Sequence, residues 1–164
     1  MRSIDITSEP KLHEAGVDVY EGWSAKLASD LVRVSKQLHI MQNTPNDATK
    51  RFMSVGTADD WYDKKDRSVY SLYSDGSLDG IAWFGLNERP DLHAGHTFAI
   101  RLYENAVGRD LAYPLMKIVH DDFAAPGGVW LETDDNNGAA RHLYEKFGYK
   151  KMAERKGRVT MVRQ

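Results

Sequence analysis

The stretch WLETDDNNGAARHLYEKFGY, residues 130–149, decides the fold. It continues an apolar run, Val129 to Thr133, that is typical of a buried strand. The four residues 134–137 are Asp and Asn, which cap helix N-termini. Gly148 follows the last turn of the predicted helix, where Lys146 complements the helix dipole. The buried face of that helix is predicted from residues at helical spacing: Ala140, Leu143, Tyr144 and Phe147.

Outside this strand–turn–helix unit, the middle of the chain predicts an upstream helix and three strands. The helix runs from about Leu111 to Phe123, with Pro114 in its first turn, where a missing N–H is harmless. Alternating apolar and polar residues predict the strands. Their ranges are 69–73, 80–85 and 96–102, with a loop over 87–95 between the last two. A closing hairpin is predicted from residues 149–152 and 159–162.

The first third of the chain predicts helices after a short strand. Residues 3–7 alternate as a strand would, and Val17 and Val19 offer a competing choice. Asn43 to Asn46 ends the main helix, and Thr44 before Pro45 begins a short one. A further helical piece runs from Thr57 through Trp61, with Thr57 as its N-cap. The main helix is predicted from one apolar face: Trp23, Leu27, Leu31, Val34 and Leu38.

This order of elements predicts an α/β (α+β) fold: a mixed, mostly antiparallel sheet flanked by helices. A length of 164 residues predicts one domain over residues 1–164. The net charge of −2 argues against nucleic acid or acidic membranes as partners. The absence of cysteine excludes disulfides and cysteine nucleophiles, and the histidines form no metal-binding pattern. With no signal peptide and no membrane-length apolar run, a cytoplasmic location is expected.

Residues 130–149 closely resemble the second hallmark motif of the GNAT N-acetyltransferases, in which a strand leads to an Asn, an Ala and a Leu-Tyr-Glu-Lys-x-Gly-Phe/Tyr helix end. The resemblance covers the second half of the chain well and the first half only in architecture. It implies a GNAT-like fold that takes acetyl-coenzyme A as co-substrate. It also implies that Tyr144 is a general acid and that Asn137 and Ala140 contact the cofactor. From the residues alone, Tyr144 is equally a core side chain and Asn137 an N-cap.

The first hallmark motif, a pyrophosphate-binding loop, is less well matched. It aligns with Val107, Gly108, Arg109, Asp110, Leu111 and Ala112, and the end of the preceding strand adds Ile100, Arg101 and Leu102 to the implied cofactor contacts. Val107 replaces an Arg or Gln, and Asp110 replaces a glycine. Backbone N–H groups at a helix N-terminus bind phosphates, so cofactor binding is not excluded. Asp110 would repel the phosphates unless Arg109 offsets it, or it is simply the N-cap of the next helix.

Two residues are candidates for the general base, which must deprotonate the amine. By alignment with the family, His96 occupies the position of a catalytic glutamate, and Glu132 lies on the strand that faces the cofactor arm. Transfer of the proton through water is the alternative. A cationic amine could be recognised by Glu21, Asp59 or Asp60, which are otherwise surface charges. An acceptor pocket, or else the core, is predicted for several aromatic residues: Tyr20, Trp23, Phe52, Trp61, Tyr62 and Trp83.

The resemblance implies an N-acetyltransferase that moves an acetyl group to a primary amine of a small molecule or protein by direct attack in a ternary complex. Direct attack is favoured because no cysteine can carry the acetyl group. The alternative, kept open by Val107 and Asp110, is a catalytically inactive acyl-coenzyme A-binding or interaction module. A longer acyl donor is a third option. The acceptor is not identified, and a homodimer is compatible with the family although no interface is indicated.

Overall fold

A computed structural model describes residues 1–64 and 66–164. Its centre is one eight-stranded mixed sheet in the order β1-β2-β3-β4-β5-β6-β8-β7. The strands are β1 Arg2–Ser3, β2 Asp18–Glu21, β3 Arg67–Ser74, β4 Ser77–Arg89, β5 Ala94–Leu102, β6 Gly128–Asp134, β7 Lys150–Arg155 and β8 Arg158–Arg163. Neighbouring strands are antiparallel except β5 and β6, which are parallel. The predicted mixed, mostly antiparallel sheet flanked by helices is confirmed.

Helices cover both faces of this sheet. They are α1 Pro10–Glu14, α2 Ala25–Val34, α3 Leu38–Asn43, α4 Val55–Asp63, α5 Ala112–Phe123 and α6 Gly138–Lys146, with a short π-helical turn at Asp47–Arg51. In the part of the chain that the structure describes, no helix is long and apolar enough to cross a membrane.

The alternation of side chains along the strands creates two cores. On β3, Tyr70 and Leu72 belong to one core, while Val69 and Tyr73 belong to the other. The first core packs against α1, α5 and α6. The second core packs against α2 and α4 and is rich in aromatic rings, among them Phe52, Trp61 and Trp83. A ligand between the strands therefore meets a different environment on each side of the sheet.

The long N-terminal helix predicted from Trp23 to Leu38 is wrong at both ends. Ser24 caps α2 by accepting a hydrogen bond from the Leu27 N–H, which leaves Trp23 outside. At the other end, Gln37 is extended and its side-chain oxygen accepts the Glu104 N–H at 2.8 Å. This contact with a distant loop accompanies the break between α2 and α3. Leu38 is consequently 72% exposed rather than on the buried face.

Three other predicted boundaries also need correction. Ser54, not Thr57, is the N-cap of α4, and Thr57 completes a capping box as the third helical residue. Most of the loop predicted over 87–95 is regular secondary structure, because β4 continues to Arg89 and a 3₁₀ turn precedes β5. Strand β1 includes only Ser3 of the predicted residues 3–7, and it pairs with β2, which contains Val19.

A buried histidine links α5 to the C-terminal half of the sheet. His120 Nδ1 is 2.7 Å from the Met116 carbonyl, so Nδ1 carries the proton, and Nε2 accepts a hydrogen bond from the Tyr149 hydroxyl at 2.7 Å. Burial lowers the pKa of His120 to about 4, helped by the charge of Arg163 and opposed by the bond to Met116. The imidazole is therefore a satisfied, neutral core group.

The burial of His120 makes the free energy of unfolding depend on pH. Because the unfolded state protonates His120 at higher pH than the folded state, stability should fall as pH drops below about 6.5 and stop falling from this source below about 4. The loss should be about 2–3 kcal/mol. Urea unfolding from neutral pH to about pH 4 should show a flatter pH dependence for His120→Gln than for the wild type. The exposed His13→Gln is the control, and parallel curves for all three proteins would contradict this assignment.

Candidate active site

Strands β5 and β6 begin as a parallel pair and then diverge. Their pairing ends at Thr97 and Trp130, although β5 continues to Leu102 and β6 to Asp134. Beyond Thr97, within the described residues, no strand pairs with the edge of β5 that faces β6. Backbone N–H and C=O groups in a protein interior need partners. The cleft between the strands therefore offers backbone N–H donors to a ligand, while the carbonyls of Ile100 and Leu102 accept hydrogen bonds from Arg101 and His39.

A cavity of about 780 Å³ occupies this cleft, a size suited to a small-molecule ligand. It is lined by strand residues of β5 and β6, by the face of α6 that carries Ala140, Leu143 and Tyr144, and by α3 with the segment that follows it. All the predicted cofactor-contacting side chains outside the loop meet here, together with one loop residue, Ala112, and one base candidate, Glu132: Ile100, Arg101, Leu102, Ala112, Glu132, Asn137, Ala140 and Tyr144.

Tyr144 is the best placed proton donor in the cavity. It lies on the second turn of α6, is 8% exposed and lines the cavity. Burial raises the pKa of its hydroxyl, an effect that the positive charge of Arg101 partly opposes. The phenol is consequently protonated at neutral pH and can donate a hydrogen bond or a proton. Its ring also packs against Tyr149, so the core role and the cavity role coexist.

Asn137 is the N-cap of α6, as one of the two sequence interpretations held. Its Oδ1 accepts a hydrogen bond from the Ala140 N–H at 3.3 Å. The side-chain NH₂ group remains as a donor toward the cavity that Asn137 lines. Ala140 lines the same wall, where its small side chain leaves room for a ligand beside the helix.

The predicted phosphate loop lies between the end of β5 and α5, beyond the cavity except for Ala112. Gly108 has φ 81° and Asp110 has φ 57°. Within the described residues, the amides of Gly108, Asp110 and Leu111 donate no hydrogen bond. Positive φ is the conformation that glycine adopts easily, so the backbone here has the form expected of a glycine-containing loop. Free amides next to a helix N-terminus are suited to binding phosphate.

Two side chains of this loop differ from expectation. Leu111 is the N-cap of α5 and no side chain caps the helix, so Asp110 is not the N-cap. Arg109 donates a hydrogen bond from Nη2 to the Ala15 carbonyl at 2.9 Å. This bond holds the guanidinium against the loop after α1 rather than leaving it free to offset Asp110. Val107, which replaces a polar residue of the family pattern, is exposed.

The two base candidates lie on opposite faces of the sheet. The His96 ring packs edge-on against Phe123 of α5, with ring centres 5.1 Å apart, and does not line the cavity. Glu132 lines the cavity, is about two-fifths exposed and lies 3.8 Å from Arg158. Glu132, and not His96, therefore lines the same cavity as Tyr144. His96 lies in the paired part of β5, opposite Val129 of β6, and its side chain faces α5, whereas the cleft opens only beyond Thr97.

Sequence reasoning missed the wall opposite α6. His39 of α3 donates from Nε2 to the Leu102 carbonyl at 2.9 Å, which closes the far end of the open β5 edge. Asp47 is fully buried and pairs with Arg51 at 3.0 Å and with Arg101 at 2.9 Å. No local motif marks this network, since Arg101 and Asp47 are far apart in the chain. The spacing of Asp47 and Arg51, one helical turn, is the only signal in the sequence.

Among the predicted acceptor-pocket aromatics, Trp83 lines the cavity, and all six belong to the second core or pack against it. Asp59 accepts a hydrogen bond from the Trp23 indole at 2.9 Å, and Glu21 lies 3.7 Å from Arg2. These acidic side chains do not line the cavity, and neither does Asp60. Within residues 1–64 and 66–164, no group of three or more acidic or histidine side chains is arranged to hold a metal ion.

Comparison with protein families decides the identity of this arrangement. The family model described as "Acetyltransferase (GNAT) family" matches residues 37–149, which include the open strand edge, the loop and α6. The chain belongs to the GNAT acetyltransferase family. A comparison with curated proteins finds no significant match.

Solved structures of GNAT proteins share the fold at low sequence identity. The putative acetyltransferase yncA from Salmonella typhimurium, with its cofactor acetyl-CoA, matches with a TM-score of 0.71 and 15% identity over 91% of this chain and 94% of that one. AAC(6')-Ib in complex with paromomycin and acetyl-CoA matches with a TM-score of 0.71 and 15% identity, over 89% of this chain and 93% of that one. A GNAT-family acetyltransferase from Streptococcus pneumoniae matches with a TM-score of 0.71 and 18% identity, over 90% of this chain and 98% of that one.

The geometry of the loop predicts the effect of restoring its glycine. Asp110→Gly should tighten coenzyme A binding about fivefold, because it removes a negative charge and eases a positive φ. Asp110→Asn tolerates the same conformation without the charge and should recover most of the gain. Isothermal titration with coenzyme A measures both. The control is Asp75→Gly, which changes another aspartate of positive φ in the β3–β4 turn. Unchanged or weaker binding by both Asp110 variants would mean that this loop does not face the phosphates.

Proposed function

We propose that the protein is an N-acetyltransferase that moves the acetyl group of acetyl-coenzyme A to a primary amine by direct attack in a ternary complex. The observation that carries this proposal is the open edge of β5, which faces the Tyr144 wall across the cleft. A pantetheine arm is an extended chain with amide groups, and it can form hydrogen bonds with such an edge as an added strand would. Relatives of the same fold are recorded with acetyl-CoA or CoA.

Several groups of this chain fit the remaining parts of the co-substrate. The free amides of the loop and the N-terminus of α5 suit the pyrophosphate. Asn137 can donate to a carbonyl of the arm, and Ala140 leaves space for it. The departures at Val107 and Asp110 change side chains, whereas the backbone keeps its positive φ and its free donors. These features favour a binding-competent loop over the inactive alternative.

The proposed reaction uses groups that surround the cleft. The amine nitrogen bonds to the thioester carbonyl carbon, and a backbone N–H of the open β5 edge can donate to the carbonyl oxygen as it gains charge. The carbon–sulfur bond then breaks, the electron pair remains on sulfur, and the Tyr144 hydroxyl supplies the proton. The proton that the amine loses passes to Glu132 or through water to solvent. No enzyme-bound acetyl group is needed, consistent with a chain without cysteine.

Replacing the proposed acid tests this assignment. Tyr144→Phe keeps the ring in the core and removes the proton donor, so kcat should fall about 10²-fold while coenzyme A affinity changes little. Thiol release with a panel of amines measures turnover, and titration calorimetry measures acetyl-coenzyme A binding. Tyr73→Phe is the control, because it removes a phenol of another buried tyrosine that is bonded to Asp30 outside the site. Full activity of Tyr144→Phe would rule out Tyr144 as the acid.

Absence of acetyl-coenzyme A binding in the wild type, up to millimolar concentration, would contradict the proposed function itself. Binding without turnover of any amine would instead favour the non-enzymatic alternative. Comparison of acetyl-, propionyl- and succinyl-coenzyme A as donors tests the acyl preference.

A further inference from the structure

Three arginine side chains gather at the wall of the cleft opposite α6 with one carboxylate among them; Arg51 and Arg101 line the cavity, and Arg67 lies next to it without lining it. Arg51 and Arg101 both pair with Asp47, and Arg67 lies near enough to Arg51 to feel its charge. Asp47 is fully buried and also accepts a weak hydrogen bond from Thr44. The cluster carries three positive charges and one negative charge. We call Arg51, Arg67 and Arg101 the arginine cluster.

Arg67 is the unbalanced member of this cluster. Its guanidinium stacks 4.4 Å above the Trp61 ring. Within the described residues, its Nε and Nη1 are buried without a hydrogen-bond partner, and so is the indole N–H of Trp61. Burial lowers the pKa of Arg67, and the charge of Arg51 lowers it further. The side chain is only half buried, so an anion can approach its exposed part and offset both effects.

The sheet register connects Arg67 with the reaction cleft. Arg67 is opposite Gly85, and Gly85 is opposite Thr97, which lines the cavity. All three positions face the second core, and the middle one has no side chain. The row therefore runs from the arginine cluster to the point where β5 and β6 diverge. Arg51 and Arg101 line the cavity along the same side.

The opposite wall has the reverse charge. Glu132 and Asp134 both lie beside Arg158, at 3.8 and 2.8 Å, which leaves one negative charge in that group. All three side chains line the cavity. A ligand with a positive amine and a negative group would match the two walls, whereas a polyamine would place a cation against the arginine cluster.

We propose that the acceptor is an amine that also carries an anionic group, either a carboxylate or a phosphonate-like oxyanion, with this group held by the arginine cluster and the amine directed toward Glu132. Guanidinium groups bind planar and tetrahedral oxyanions through several hydrogen bonds at once. The proposal rests on the proposed acetyl transfer, and it narrows the acceptor to amino acid-like molecules.

Matched acceptors test the proposal directly. α- and ω-amino acids of increasing length are compared with the amines that lack their carboxylate, with their methyl esters, and with aminoalkyl phosphonates. In thiol-release assays with acetyl-coenzyme A, the best acceptor with an anionic group should have a kcat/KM at least about tenfold above that of its counterparts without the anionic group. Comparison of the aminoalkyl phosphonates with the amino acids shows which oxyanion is preferred. Equal or better turnover of the esters, simple amines or spermidine would overturn the proposal.

Variants locate the anion. Arg67→Gln should raise KM about tenfold for the best acceptor that carries an anionic group, with little change in kcat. It should leave the KM of the counterpart without that group unchanged. Arg51→Gln should act in the same direction, since Arg101 still pairs with Asp47. Arg33→Gln, an exposed arginine of α2, is the control for loss of positive charge. An equal rise in KM for acceptors with and without the anionic group would contradict an anion site. Thermal unfolding shows whether each variant is folded.

The failure of the proposed function and the failure of this inference give different results. If no amine is acetylated, the binding of amino carboxylates is measured by calorimetry with the protein saturated by coenzyme A, so that the phosphate loop is occupied. Binding that Arg67→Gln weakens would support the anion site even without turnover. Absence of such binding by the wild type would overturn it.

Discussion

The divergence of β5 from β6 is the constraint on which the rest of the site depends. At the paired end the strands are held closely, since a Cβ on Gly128 would lie 2.6 Å from the His93 carbonyl oxygen. On its other side, β6 is paired with β8 from Val129 to Asp134. The C-terminal hairpin therefore holds β6 along its length and prevents it from turning back to close the gap. The open edge of β5 is built into the sheet and does not require a ligand to form it.

One strand with alternating side chains serves two ligand environments. Ile100 and Leu102 pack against the first core on the side of α5, whereas Thr97 and Arg101 face the second core. His96 has the same parity as Ile100 and Leu102 and also faces α5, where it packs against Phe123, but it lies before the point at which β5 and β6 diverge. A candidate chosen by its distance from a loop motif lines the cleft only if the two strands have separated at its position.

The strand–turn–helix unit was predictable because its signals are local. Asn137, Gly148 and the apolar face of α6 each act on residues within two helical turns of themselves. The wall of the cavity opposite α6 was not predictable, because it depends on contacts between distant segments. Gln37 accepts from the Glu104 N–H, and Arg101 pairs with Asp47, which lies 54 residues earlier in the chain. Sequence periodicity cannot show such partners, and it joined α2 and α3 into one helix for the same reason.

Asp110 shows how a departure from a family pattern can be divided between backbone and side chain. Its φ of 57° shows that the fold imposes on this residue the conformation for which glycine is usually selected. Aspartate is among the few other residues that tolerate this conformation, so the shape of the loop survives the substitution. What changes is the electrostatic contribution, since a carboxylate now stands near amides that would otherwise attract only phosphate. The open β5 edge and α6 would then contribute a larger share of the binding energy, and α6 carries the motif that matches the family pattern most closely.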